Sequence, residues 1–285
     1  MLKVLKSGFF TSVQDMGRFH HRNKGVPVSG CMDQLSVFKA NTLLENDPNS
    51  AVLEITMTGP TLQFEKDTFI VLAGALITVT LNNEPVQNYK VYKVKAGDIL
   101  SYGKLKKGFR FYLAVKGGFN APVVLGSQSF YKPITKKGRF VDGDTIPYKE
   151  NKDFSPKISE IKVDSHLDET VLEVHKAPEY DVLSDRQLEA LFSREFTISK
   201  ENNRMAYQLS ETIETHSHSI LTSATLPGTV QLTPAGKLII LMKDGQTTGG
   251  YPRILQLSDK SISVLSQKRE GNTVSFKFIQ SEQLD

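Results

Sequence analysis

Apolar and polar positions alternate with a period of two along much of the chain. Phe109, Phe111 and Leu113 interleave with Arg110, Tyr112 and Ala114, as in a strand with one buried face, and Val274, Phe276 and Phe278 repeat the pattern. Asp67–Ala73 and Leu76–Leu81 are apolar, β-branched runs closed by the turn pair Asn82-Asn83. Leu238–Met242 is a continuous apolar run, the signature of a strand covered on both faces. Helical spacing is confined to three places. Met32, Leu35, Phe38 and Leu43 share one side of a helical wheel ahead of Pro48. Ser184-Asp-Arg-Gln187 has capping-box spacing before Leu188, Leu191 and Phe192, and a third short helix is expected over Asp259–Ser266. The prediction is a mainly β protein with a few short helices, built as two β-rich barrels or sandwiches. The charged, weakly periodic segment from Tyr148 to His166, broken by Pro156, reads as a linker between residues 1–150 and 151–285, or as a long excursion inside one continuous domain.

Composition narrows the function classes. The net charge of +4 is mild, and no dense basic tract is interleaved with aromatics, which argues against a nucleic-acid partner. Lys104, Lys106 and Lys107, beside Gly103 and Gly108, read as a solvated turn. No apolar stretch approaches the roughly 20 residues needed to span a bilayer, and MLKVLKSGFF lacks the apolar core of a secretory signal. The one cysteine, Cys31, excludes an intrachain disulfide framework and a multi-thiolate metal site. A cytoplasmic protein without a membrane partner is expected.

Candidate chemistry gathers in two loops. Thr11-Ser-Val-Gln-Asp-Met-Gly-Arg18, followed by Gly25-Val-Pro-Val-Ser-Gly30 and Met32-Asp33, concentrates Gln14, Asp15, Arg18 and Asp33 around glycines that permit an unusual backbone path. Asp15, Arg18 and Asp33 form either an ion-paired cluster at an anion-binding helix start, or a simple Asp–Arg lock on a loop corner. The second loop, Asp244-Gly-Gln-Thr-Thr-Gly-Gly-Tyr-Pro252, follows a buried strand, where a rigid scaffold presents ligand-contacting groups. Asp244 offers a carboxylate, Thr247 and Thr248 hydroxyls, Gly249 and Gly250 free amides, and Tyr251 a pocket wall; a long hairpin turn is the plain alternative. Arg110 and Arg204 are either anion ligands or solvated cations. No metal is expected, because His20-His21 and His216-x-His218 lack acidic or thiol partners at ligand spacing. No phosphate-cradling G-x-x-x-x-G-K-[ST] or G-x-G-x-x-G motif occurs. Cys31 reads as a small buried thiol rather than a nucleophile, and Met242-Lys243 only faintly resembles a biotin-acceptor motif.

At these residues the chain resembles the biotin-dependent carboxyltransferase family, also called allophanate hydrolase subunit 2. The family pattern is matched by Thr11 to Arg18, Gly25 to Asp33, Ala40-Asn41, Leu53-Glu-Ile-Thr56 with Gly59-Pro60, Gly117-Gly118, Gly126-Ser127, Gly143-Asp144, Pro227-Gly-Thr-Val-Gln231 and Asp244 to Pro252. It departs at Cys31, where a smaller residue is usual, and at Gln128 and Gln208, where arginine is usual; both bear on how an anionic substrate would be held. The resemblance implies cyclophilin-like β-barrels. It implies the C-type component of an ATP-dependent 5-oxoprolinase, which works with A-type and B-type subunits on a lactam; which of the three binds ATP is left open. Fused relatives imply the alternative of carboxyl transfer from carboxybiotin to urea or a related amide. A third is a non-catalytic regulatory partner of a B-type, kinase-inhibitor-like protein. On the first reading Asp15, Arg18 and Asp33 are the catalytic candidates. Gln14, Arg110, Arg204, Asp244, Thr247, Thr248, Gly249, Gly250 and Tyr251 are the substrate-binding ones.

Overall fold

The computed structural model describes residues 1–162 and 166–279. They fold into two compact units, one of Met1–Phe19 with Ser29–Leu167, the other of His20–Val28 with Asp168 onward. No helix among the described residues is long and apolar enough to cross a membrane.

The first unit contains β1 (Leu2–Lys6), β2 (Phe10–Gln14), α1 (Gln34–Leu43), β3 (Val52–Thr56), β4 (Thr61–Phe64), β5 (Thr68–Leu81), β6 (Glu84–Val86), β7 (Tyr92–Val94), β8 (Ile99–Val115) and β9 (Thr145–Ile146). They form one nine-stranded sheet in the order β2-β3-β8-β4-β1-β9, with β5 joining β8 to β6 and β7. The two apolar runs expected between 67 and 81 are a single strand. Gly74, at φ 83°, lets β5 shift register against β8 without ending, since a side chain there would meet the Arg110 carbonyl at 2.6 Å. The end of β8 is covered on both faces, not one. Phe111, Leu113 and Val115 enter one core with Val13, Ile55, Phe64 and Leu72. Tyr112 and Ala114 enter a second core with Cys31, Val37, Ala40 and Leu44, beneath α1. Alternation therefore marks two different apolar environments rather than inside and outside. Lys104, Lys106 and Lys107 lie within β8, not in a turn.

α1 begins where expected, with Met32 and Leu43 buried as expected, but Phe38 points away from the contact. Ser36, Val37, Ala40, Asn41 and Leu43 are buried, while Phe38 is 53% exposed. Small residues allow the helix to lie close on a sheet that is already apolar. Beyond residue 150 the chain stays with the first unit: Val91 N–H donates to the Ser159 carbonyl at 2.7 Å, Ile161 N–H to that of Tyr89 at 3.0 Å, and Phe154 packs edge-on against Phe69. The expected linker is thus tied to the sheet by backbone hydrogen bonds, and its positions 163–165 lie outside the described residues.

The second unit holds β10 (Val171–Lys176), α2 (Asp185–Phe192), β11 (Phe196–Asn202), β12 (Ala206–Thr212), β13 (Ser223–Ala224), β14 (Thr229–Leu232), β15 (Lys237–Leu241), β16 (Thr248–Gly249), β17 (Arg253–Leu257), α3 (Asp259–Ser266) and β18 (Thr273–Phe278). Seven of these strands close a barrel in the order β10-β17-β14-β15-β12-β11-β18, sealed by the parallel pairing of β10 with β18. Leu172, Val174, Phe196, Leu209, Val230, Ile240 and Val274 are buried strand residues of this unit. The capping box at α2 is present in both directions: Gln187 N–H donates to Ser184 Oγ and Ser184 N–H to Gln187 Oε1. β15 is covered on both faces only at its end: Leu238 and Ile240 are buried on one face, while on the other Leu241 is buried and Ile239 partly exposed.

The β14–β15 hairpin turns at Gly236, whose φ is 80°, and the Gly236 carbonyl accepts the Ile213 N–H at 2.9 Å. A Cβ there would sit 2.0 Å from the Ile213 carbonyl oxygen, whereas at Gly143, also at φ 81°, it would meet nothing. Gly236→Ala is expected to cost well over about 1 kcal/mol by denaturant unfolding, and more than Gly143→Ala, which carries only the backbone penalty. Equal costs would show that the close approach at Gly236 relaxes freely.

Candidate functional site

In the first unit the structure places the catalytic candidates on two separate buried anchors. Asp15 leaves the end of β2, where its Oδ1 accepts Ser127 Oγ at 2.7 Å, Ser129 Oγ at 2.6 Å and Gly17 N–H at 2.9 Å. Its Oδ2 accepts Gln128 N–H at 2.6 Å. Hydroxyl and amide donors, rather than Arg18, hold this carboxylate. Arg18, fully buried, donates from Nε to the Val124 carbonyl at 2.9 Å and from Nη2 to that of Ser129 at 2.8 Å. The expected ion-paired cluster is therefore a corner in which Asp15 and Arg18 both grip the 124–129 loop. Gln14 Nε2 reaches the same segment through the Phe130 carbonyl.

Asp33 is the N-cap of α1. Its carboxylate accepts Ser36 N–H at 3.0 Å, Ser36 Oγ at 2.7 Å and His166 Nε2–H at 2.8 Å. The carboxylate places the imidazole proton on Nε2. Asp33 N–H donates to Tyr112 Oη at 2.8 Å, Tyr112 donates to Glu54 Oε2 at 3.0 Å, and Met32 N–H donates to the same oxygen at 2.8 Å. Arg110 Nε lies 3.9 Å from Glu54 Oε1, with both side chains at most 2% exposed. Arg110 is accordingly neither solvated nor turned to an open pocket. Burial, then the charges of Glu54 and Asp33, push the Tyr112 phenol well above its ordinary range, so it remains a neutral donor. Glu54 was legible only as part of the family motif Leu53-Glu-Ile-Thr56, with no role attached to it. Nothing in the sequence pointed to His166 as the partner of Asp33.

In the second unit the Asp244–Pro252 loop passes beside a cavity of about 220 Å³, lined by the polar side chains of Glu201, Asn203, Gln208, Gln231, Gln246 and Tyr251 and by Met205, Ala206, Ile239 and Leu241. From this loop the cavity takes Gln246 and Tyr251, not the threonines. Thr248 and Gly249 form β16, paired with β13, and the Thr247 carbonyl accepts Thr225 N–H. Gly250 is exposed, and a Cβ there would make only an ordinary contact, with the Ile220 carbonyl oxygen at 3.9 Å. Gly249 keeps these amides close: a Cβ there would lie 2.5 Å from Gln231 Nε2 and 2.8 Å from Gln246 Nε2, so the ends of those flexible side chains would have to move. Arg204 and Asp244 are engaged with each other through Nε–Oδ2 at 2.8 Å and Nη2–Oδ1 at 3.1 Å, a bidentate pair that ties the start of β12 to the loop after β15. Gln231, absent from the sequence-predicted set, is 1% exposed, and its Nε2 has no acceptor among the described residues. Its sequence signal was an amide inside the apolar strand Thr229–Leu232. A larger cavity in the first unit, about 440 Å³, is lined by Pro122, Val124, Phe130, Ile134, Phe140 and Ile146 among others and holds none of these polar groups.

Arg110→Met strands the buried Glu54 charge and is expected to cost about 3–5 kcal/mol by urea unfolding. Adding Glu54→Gln should recover part of that loss, and a double variant no better than the single would refute charge pairing. The raised Tyr112 pKa sets a pH window as well. With a folded value above the ordinary 10.0, its contribution is whole below pH 10.0 and is lost as pH rises beyond it. Tyr112→Phe should flatten part of the fall in denaturant midpoint above pH 10.0; an unchanged slope would remove Tyr112 as its source.

Residues 24–278 match the family model of the carboxyltransferase domain, subdomains A and B. The chain is 34% identical to the C subunit of Escherichia coli 5-oxoprolinase over 97% of its own length and 90% of that protein. It is 32% identical to the C subunit of Haemophilus influenzae 5-oxoprolinase over 98% of its length and 91% of that protein. A stretch of 130 residues is 38% identical to urea amidolyase of Lachancea kluyveri, covering 7% of that larger protein. The crystal structure of TTHA0988 superimposes with a TM-score of 0.88 at 26% identity, over 97% of this chain and 55% of that one, so this chain spans about half of it. The Kluyveromyces lactis urea amidolyase gives 0.86 at 26% identity, over 98% of this chain and 19% of that one. The chain belongs to the carboxyltransferase domain family, subdomains A and B.

Proposed function

We propose that this chain is the C subunit of an ATP-dependent 5-oxoprolinase, opening 5-oxo-L-proline to L-glutamate together with A-type and B-type subunits. Near full-length similarity to the C subunits of two bacterial 5-oxoprolinases supports the reading. The observation that carries it to the chemistry is the cavity of the second unit, where Gln208, Gln231 and Gln246 converge. A lactam presents one carbonyl acceptor and one N–H donor, and primary amides supply both complements. Ring opening moves negative charge onto the lactam oxygen. The Gln231 amide, already desolvated and without another acceptor among the described residues, is a donor pre-positioned for such an oxygen.

ATP is consumed by the complex. This chain has no glycine-cradled lysine loop, and no step through the nucleotide is assigned to its residues. A second reading, carboxyl transfer from carboxybiotin to an amide, draws on the match to urea amidolyase. Lys243, whose surroundings faintly resemble a biotin-acceptor motif, is buried and unsuited to carry biotin.

The chain alone should release no glutamate. With A-type and B-type partners it should give ATP- and 5-oxo-L-proline-dependent glutamate release. Gln231→Ala should lower kcat in the reconstituted enzyme by about a hundredfold, as for loss of one oxyanion donor, with an unchanged melting temperature. Full activity without this chain, or an unaffected rate in Gln231→Ala, would reject the assignment.

A further inference from the structure

The arginines first considered for an anion all have partners within the fold: Arg18 on backbone carbonyls, Arg110 with Glu54, Arg204 with Asp244. Arg22 differs. It opens a short 3-10 turn, Arg22–Lys24, in the part of the His20–Val28 segment that belongs to the second unit. Its Nη2 donates to the Thr225 carbonyl and, at 3.5 Å, to that of Gln246. The other terminal nitrogen, Nη1, is buried and meets no acceptor, and no carboxylate lies within ion-pair reach of Arg22 among the described residues. A guanidinium keeps its charge at all ordinary pH, so burial without a counter-ion is unfavourable until an anion arrives. Burial lowers its pKa, as expected for a cation short of compensating charge.

Gln246 joins this cation to the cavity. Its backbone carbonyl accepts from Arg22 and from Thr225 Oγ1, the latter at 2.6 Å, while its side chain lines the cavity beside the unpartnered Gln231 amide. None of the residues lining that cavity is cationic, and Glu201 at its edge is held below the usual carboxyl range by the Ser199 hydroxyl. The cavity by itself therefore reads neutral amide groups and disfavours an anion.

We propose that Arg22 is the carboxylate anchor of this site, so that its ligand is a small molecule bearing a carboxylate beside an amide or lactam carbonyl. The proposal rests on the cavity being the amide site and adds the residue that reads the substrate's charge. On this proposal Gln231 addresses the carbonyl, and Arg22, which borders the cavity through the Gln246 carbonyl rather than lining it, takes the carboxylate.

Two probes separate these contacts: 5-oxo-L-proline, and 2-pyrrolidone, the same lactam without its carboxylate. Binding of each is measured by calorimetry on the purified chain and on its assembled complex. The wild type should prefer 5-oxo-L-proline by at least about tenfold. Arg22→Gln should erase that preference, Arg22→Lys should retain part of it, and Gln231→Ala should weaken both probes alike. Circular dichroism and melting temperature verify the fold of each variant. In the active complex Arg22→Gln should raise KM for 5-oxo-L-proline by about tenfold or more while kcat stays within a few-fold, as for loss of uniform binding. Equal wild-type affinity for the two probes, undiminished preference in Arg22→Gln, or a loss confined to kcat would overturn the proposal. Selective binding without turnover by any combination of partners would leave Arg22 as the anchor and sink the 5-oxoprolinase assignment instead.

Discussion

Burying a carboxylate in the middle of a strand is among the costliest things a sheet can do, and the first unit does it at Glu54. All five residues of β3 are buried, so the charge cannot reach water and must be matched by donors nearby. The Met32 amide and the Tyr112 hydroxyl donate to it, and the Arg110 guanidinium brings the opposite charge within 3.9 Å. Each match constrains the chain further. Tyr112, having given its proton to Glu54, can only accept from Asp33 N–H, which fixes where α1 starts. Asp33 then caps the helix through Ser36 and holds His166. The approach to the helix is equally determined. Ser29 and Gly30 both adopt positive φ, and a Cβ on Gly30 would lie 2.8 Å from the backbone of Met16 and Gly17. The two parts of the polar motif in this unit are stacked backbone on backbone, which only glycine permits.

The second unit handles polarity differently. A deeply placed charge pair, Arg204 with Asp244, is bidentate, and the adjoining cavity is lined by no cation. Pairing these two charges fixes the base of the loop that carries Gln246 and Tyr251, while Gly249 admits two amide groups to within contact of its α-carbon. The loop's sequence is thus explained by what it must let through as much as by what it presents. Its threonines serve the backbone pairing with β13 and the contact with Thr225, and its glycines make room.

Strands, the three helices and the β class were legible because each depends on local spacing. α3 spans Asp259–Ser266 as expected, and the Ser184–Gln187 box needs only four consecutive residues. What could not be read locally was which side of an element faces which neighbour. Phe38 carries the largest side chain of α1 yet stays exposed, because a helix lying on an apolar sheet is selected for smallness at the contact. The lone glutamate in Val52–Thr56 could signal an edge strand or a buried ion, and only the tertiary placement of Arg110 and Tyr112 decides. His166 lies 133 positions from Asp33 in sequence, and no periodicity reports a pairing of that range. Both polar loops were legible as places; the division of their residues between structure and binding was not.

That division has a physical criterion. A buried polar group whose hydrogen bonds are all made inside the protein has little to gain from a ligand, since any new bond must replace an existing one. Asp15, with four donors on its carboxylate, meets this condition, and substitution there should reveal itself first as lost stability of the 124–129 loop. A buried donor that the fold leaves unmatched is the reverse case. It is desolvated at the protein's expense, and a ligand supplying the acceptor recovers that cost as affinity or as transition-state stabilisation. Gln231 and Arg22 are of this second kind, and both border the same Gln246. Their coincidence beside Gln246, rather than the density of charged residues elsewhere in the motifs, is the reason to look to the second unit's cavity as the place where a substrate would be read.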